Sequence, residues 1–136
     1  MPYSSKIFPD IGLVYVRYWG VANIETTQAS ILACASDPEF RPDMRHFFDV
    51  SGVTRVNADV AEVMKMQAKL AEVYRALNID YFAVFLAPDG PPRQMAEMAR
   101  KSWDAMPYMT MRILDTYDAV VEVLQLNPAD IARLSV

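Results

Sequence analysis

Apolar residues fall in short runs separated by turn-forming clusters, and the runs alternate between strand-like and helix-like spacing. Ser5–Phe8 and Leu13–Trp19 read as two strands joined by the turn chemistry of Pro9-Asp10-Ile11-Gly12. Both faces of Leu13–Trp19 are largely apolar except at Arg17, which suits a strand covered on both sides. Gly20 is expected to end it. Asn23 is a natural N-cap for a helix from Ile24 to about Ser36, which Asp37-Pro38 stops. Arg45–Val50 reads as a third strand, broken at Ser51-Gly52. Asn57 then caps a long helix, Ala58 to about Leu77. Its inward stripe comprises Val60, Val63, Met64, Gln67, Leu70, Ala71, Tyr74 and Leu77, with Gln67 the one polar exception. Glu62 with Lys65, and Glu72 with Arg75, form favourable i,i+3 pairs.

The second half repeats the alternation. Tyr81–Ala87 is continuously apolar, as a central strand would be. Asp89-Gly90-Pro91-Pro92 turns into a helix near Arg93–Ala105, whose inner face is Met95, Met98, Ala99, Ser102 and Met106. Met109–Leu114 is a fifth strand. Asp115 or Thr116 caps a helix from Tyr117 to about Leu126, and Asn127-Pro128 opens a last short one. The order β-β-α-β-α-β-α-β-α-α implies right-handed crossovers. The expected fold class is a three-layer α/β domain spanning residues 1–136. Its sheet would be mostly parallel, of about five strands, with an antiparallel N-terminal edge strand and helices on both faces.

Composition narrows the function. The chain has 136 residues, 53% of them hydrophobic and 22% charged, which is too apolar for intrinsic disorder. At this length roughly 68% of the unfolded surface is buried, so no disulfide or metal staple is needed. The net charge of −4 gives no basic footprint, so no nucleic-acid partner is expected. No stretch is long and apolar enough for a membrane span, and no secretory signal opens the chain. One cysteine, Cys34, excludes an internal disulfide, and a cytoplasmic location is expected.

Candidate chemistry is sparse. His46 begins a predicted strand, whereas α/β active sites gather at the carboxyl ends, so it reads as a surface or hydrogen-bonded histidine. Cys34 lies within a predicted helix and reads as a small buried hydrophobe. Neither phosphate-loop glycine motif occurs, so no nucleotide cofactor is expected. Asp49 and Asp115 stand at predicted strand ends, with Asp89 in the loop after Tyr81–Ala87. Three carboxylates near one edge could bind Mg²⁺, but the spacing is not specific and strand-end aspartates are commonly caps. Methionines concentrate between Met95 and Met111, near Trp103, Tyr108 and Tyr117. They suit a core, a dimer interface or an apolar pocket.

Phe48-Asp49-Val50-Ser51-Gly52-Val53, followed by Asn57-Ala58-Asp59-Val60, resembles the core motif of STAS domains, found in sulphate transporters and anti-sigma factor antagonists. Gly20 before a capped helix, Asp37-Pro38-Glu39-Phe40-Arg41-Pro42, and Asp115-Thr116-Tyr117-Asp118-Ala119 extend the resemblance. They point to the SpoIIAA-like group of STAS/Sec14-type bacterial proteins. The resemblance implies a non-enzymatic regulatory or protein-interaction module. Where STAS antagonists carry Asp-Ser-Ser-Gly, this chain has Asn57-Ala58-Asp59-Val60, so Asp59 stands where the phosphoacceptor serine would be. The implied surface for a protein partner or anion comprises Ser51, Thr54, Arg55, Asn57, Asp59 and Arg93. The alternative is a carrier or sensor of a small apolar, lipid-like ligand in a Sec14-type pocket lined by Met95, Met98, Trp103 and Tyr108. Homodimerisation is a further expectation, because Trp19, Trp103 and Tyr108 exceed what a small core covers.

Overall fold

A computed structural model describes residues 2–76, 80–103 and 109–134, with the side chains of Ser102 and Trp103 outside that description. The strands are β1 (Tyr3–Phe8), β2 (Leu13–Ala22), β3 (Arg45–Val56), β4 (Tyr81–Leu86) and β5 (Met109–Leu114). The helices are α1 (Ile24–Ala35), α2 (Val60–Ala76), α3 (Pro91–Trp103), α4 (Tyr117–Leu124) and α5 (Pro128–Leu134). The turn between β1 and β2 is one turn of 3₁₀ helix, Pro9–Ile11.

The sheet order is β1-β2-β3-β4-β5, with β1 antiparallel to β2 and all other neighbours parallel. Each parallel connection steps to the next strand in one direction. Right-handed crossovers stepping one way deposit their helices on one face. Accordingly Ile31 and Cys34 of α1, Leu70 and Tyr74 of α2, and Ala96 of α3 share one core with Val14, Phe48 and Phe85. Helices α4 and α5 close the opposite face, where Val120, Leu124 and Leu134 pack on Leu13, Phe47 and Val84. The three-layer α/β architecture expected from the alternation is the one observed.

Several caps follow the sequence. Asn23 accepts the Thr26 N–H at 2.9 Å and starts α1. Thr116 starts α4, its hydroxyl accepting the Ala119 N–H at 3.2 Å. Asn127 and Asp130 cap each other's backbone N–H groups at the start of α5. Arg45 donates to the Leu124 carbonyl at the end of α4 and to the Ile11 carbonyl, tying the second helical layer to the first turn.

Four expectations need correction. Gly20 does not end β2. It sits at φ +79° beside a register shift, and the strand runs on to Ala22. Ser51-Gly52 does not break β3, because Trp19 to Ala22 supply a parallel partner for Gly52 to Val56. Both glycines accommodate irregular pairing within strands rather than closing them. Asn57 does not cap α2: its N–H donates to the Ala22 carbonyl at 2.8 Å, and the helix begins three residues later. Finally, the α2 stripe is rotated. Met66 is buried, while Val60 and Met64 are exposed. Among the described side chains of α3, Pro92 and Ala96 are buried, with Met95, Met98 and Ala99 half-buried. Leu77 and Met106 lie outside the described residues.

Candidate functional site

The segment resembling the STAS motif is built mainly of strand. Ser51, Thr54 and Arg55 are exposed positions of β3. The Ser51 backbone N–H and hydroxyl both donate to Asp49 Oδ1, at 3.0 and 2.6 Å. Asp59 is the N-cap of α2: its Oδ1 accepts the Glu62 N–H at 2.8 Å, and its carbonyl accepts the Val63 N–H. Arg93, in the first turn of α3, donates from Nε to the Ala87 carbonyl at 3.0 Å and pairs with Asp115. Its guanidinium therefore binds the ends of β4 and β5 together. Among the described residues, no hydrogen bond or ion pair joins Arg93 to the Ser51–Asp59 segment.

The structure instead encloses a cavity on the three-helix face. It lies between the first halves of α1 and α2, the middle of α3, and the carboxyl-end halves of β2 and β3. Its volume is about 50 Å³. That holds about four water-sized volumes at ~10–15 Å³ each, too little for a whole lipid. Met66, Met95 and Met98 line it together with Ile24, Phe48 and Phe85. Methionine side chains re-pack readily, so the lining can yield to a ring the size of phenol. Of the pocket residues expected from sequence, Met95 and Met98 line this cavity, whereas Tyr108 and the Trp103 side chain lie outside the described residues.

One polar group stands out in that lining. Gln67 is 2% exposed, and its Oε1 has no hydrogen-bond partner among the described residues. An unpaired buried amide oxygen is costly, and natural cores rarely retain one. Sequence reasoning registered Gln67 only as the polar exception in the α2 stripe, which is the signal that could have found it.

The remaining titratable groups of this core are silent near neutral pH. His46, expected as a surface or hydrogen-bonded histidine, is buried between Phe48 and Tyr81, its ring centroid 4.3 Å from that of Tyr81 and its Nε2 without a hydrogen-bond partner among the described residues. Burial pulls it down to about 3, so it is neutral at pH 7. Burial pushes the Cys34 thiol up, the direction opposite to an activated nucleophile. Among the described residues, no three His, Cys, Asp or Glu side chains converge as a metal site would require. Nor is any described helix long and apolar enough to cross a membrane.

No protein-family model matches the chain, and no curated protein matches it.

Proposed function

We propose that the chain is a non-enzymatic binding module that takes a small, mainly apolar ligand at the carboxyl-end side of its parallel sheet. The observation that carries this reading is the apolar cavity with the unpartnered Gln67 Oε1 in its wall. Open α/β sheets use their carboxyl edges for ligands, and pockets that are apolar with one or two polar groups are the usual binding architecture. The STAS/Sec14-type resemblance supports the same reading, through its expectation of a ligand pocket. The cavity volume narrows that expectation to a small molecule, or to one end of a chain, carrying a single donor for Gln67. Phenol and toluene, near-isosteres with and without a hydroxyl, test it by titration calorimetry. Saturable phenol binding that weakens at least tenfold in Gln67→Leu supports the reading. Equal affinity for both probes, or binding unaffected by Ala99→Phe, removes it.

A second reading, the STAS-like regulatory or interaction module in a cytoplasmic setting, is favoured by a different observation. The β2 extension leaves Trp19 and Val21 37% and 42% exposed, beside Arg55 of β3. Asp59 acting as a helix cap supports a module without a phosphorylation switch. A homodimer that Val21→Lys dissociates in sedimentation equilibrium supports this reading. A monomer at high concentration removes the homodimer.

A further inference from the structure

The face covered by α4 and α5 is only partly covered. Those helices pack over Phe8, Leu13, Phe47 and Val84 but leave the stretch around Ser4, Lys6 and Arg17 uncovered. There a groove of about 380 Å³ runs between β1, β2 and β3 on one side and Tyr117 and Leu134 on the other. Its floor is set by strand register. Ser4, Arg17 and Asp49 occupy one row across three neighbouring strands, and Lys6 and Tyr15 occupy the row beside it.

Two opposite charges in that row do not satisfy each other. Asp49 is 8% exposed, yet its only hydrogen bonds among the described residues come from Ser51, both to Oδ1. Oδ2 takes none. Arg17 forms no hydrogen bond or ion pair among the described residues, and its guanidinium lies over the Trp19 ring, 5.5 Å from the centroid. A cation–π contact does not occupy the N–H fork as an ion pair would, so the fork stays available to an anion. A nearly buried carboxylate with one unclaimed oxygen is stabilised by a cation or strong donor. Adjacent strands lie ~4.8 Å apart and both side chains line the groove, within the span of one small molecule. Tyr15 and Tyr117 also line it. Burial first, and then Asp49, push the Tyr15 phenol up to about 12, so it remains a donor at neutral pH.

We propose that this groove binds a small zwitterion of amino-acid type, with its carboxylate on Arg17, its ammonium on Asp49 and an apolar body against Tyr15 and Tyr117. The site lies on the opposite side of the sheet from the Gln67 cavity and does not depend on the reading given to that cavity.

The test uses three probes that differ only in their head groups: L-phenylalanine, 3-phenylpropionate without the ammonium, and phenethylamine without the carboxylate. Titration calorimetry measures affinity, and the fluorescence change in a Trp103→Phe background, where Trp19 is the one tryptophan, locates it. Phenylalanine is expected to bind saturably, with each truncated probe at least tenfold weaker. Arg17→Met, at an exposed position, should cost phenylalanine at least tenfold and leave phenethylamine unchanged. Asp49→Asn, nearly isosteric, should do the reverse, costing phenylalanine and leaving 3-phenylpropionate unchanged. Gln67→Leu should change none of these affinities. Absence of binding by all three probes at millimolar concentration overturns the proposal, as does equal affinity of wild type and Arg17→Met for phenylalanine. A thermal-unfolding double-mutant cycle without ligand that shows strong Arg17–Asp49 coupling also overturns it, because the two charges would then close on each other.

Discussion

A methyl group added at Gly52 would lie 2.8 Å from the Cβ of Trp19, its partner across the β2–β3 ladder. Contacts that short do not occur between real side chains, and the Tyr18 carbonyl, at 3.3 Å, blocks retreat in one direction. Gly52 is therefore a site of close approach at the register shift, and Trp19 owes its half-exposed position to that glycine.

Gly52→Ala should destabilise the domain by about 1–3 kcal/mol through overpacking. The same change in a Trp19→Gly background should cost distinctly less, because the opposing Cβ is gone. Urea denaturation of the four proteins in the cycle measures this coupling. Equal costs in both backgrounds would mean that the backbone of Tyr18, and not the Trp19 side chain, sets the limit.

His46 gives the acid limb of the stability curve a recognisable share. Its folded value is depressed to about 3, against an ordinary value near 6.5. Between those two pH values the unfolded chain binds a proton that the folded chain excludes. Stability is therefore undiminished above pH 6.5 and falls as pH drops towards 3, by up to ~1.4 kcal/mol per pH unit from this residue. His46→Phe keeps the stacked ring and removes the unpartnered Nε2. It should leave stability at pH 7 equal or higher and flatten the difference between pH 7 and pH 4. Parallel acid limbs for the two proteins would contradict the burial of a neutral imidazole.

At the start of α2, Asp59→Ala should cost ~1 kcal/mol, within the 0.5–2 range of lost caps. Asn57→Ala should stay within about 0.5 kcal/mol, since only its backbone N–H is engaged. Thermal unfolding distinguishes the two directly. A larger loss at Asn57 would return the cap to that residue.

These two positions show where sequence reading reached and where it stopped. Periodicity and turn chemistry located the ten main elements, because each is long enough for burial to impose its repeat. The caps Asn23, Thr116 and Asn127 were legible because capping depends on residues within one turn of the chain. Gly20 and Ser51-Gly52 misled for the opposite reason. Each looks like a terminator alone, and only the other strand's backbone makes it an interior position. The slip at α2 followed, since a loop placed too early gave Asn57 the cap and rotated the stripe from Met66 to Met64. Arg17 and Gln67 were visible as polar interruptions in apolar patterns. What the sequence could not supply was that, among the described residues, Gln67 Oε1 has no hydrogen-bond partner and Arg17 no ion pair, because that depends on neighbours distant along the chain.

The sheet order repeats the chain order, strand for strand. Every new strand therefore docks on the one made just before it, with a single helix between parallel neighbours. Each pairing closes over one hairpin or one helical crossover, never over a larger part of the chain, and a low contact order favours fast folding. A ribosome releasing this chain amino end first would let the sheet widen by one strand at a time. The Arg45 hydrogen bond to the Leu124 carbonyl and the paired hydrogen bonds from Arg133 to Asp10, at 2.7 and 2.9 Å, can form only when the last helices emerge. Those contacts act as the latch of a structure whose order of assembly is already written in its topology.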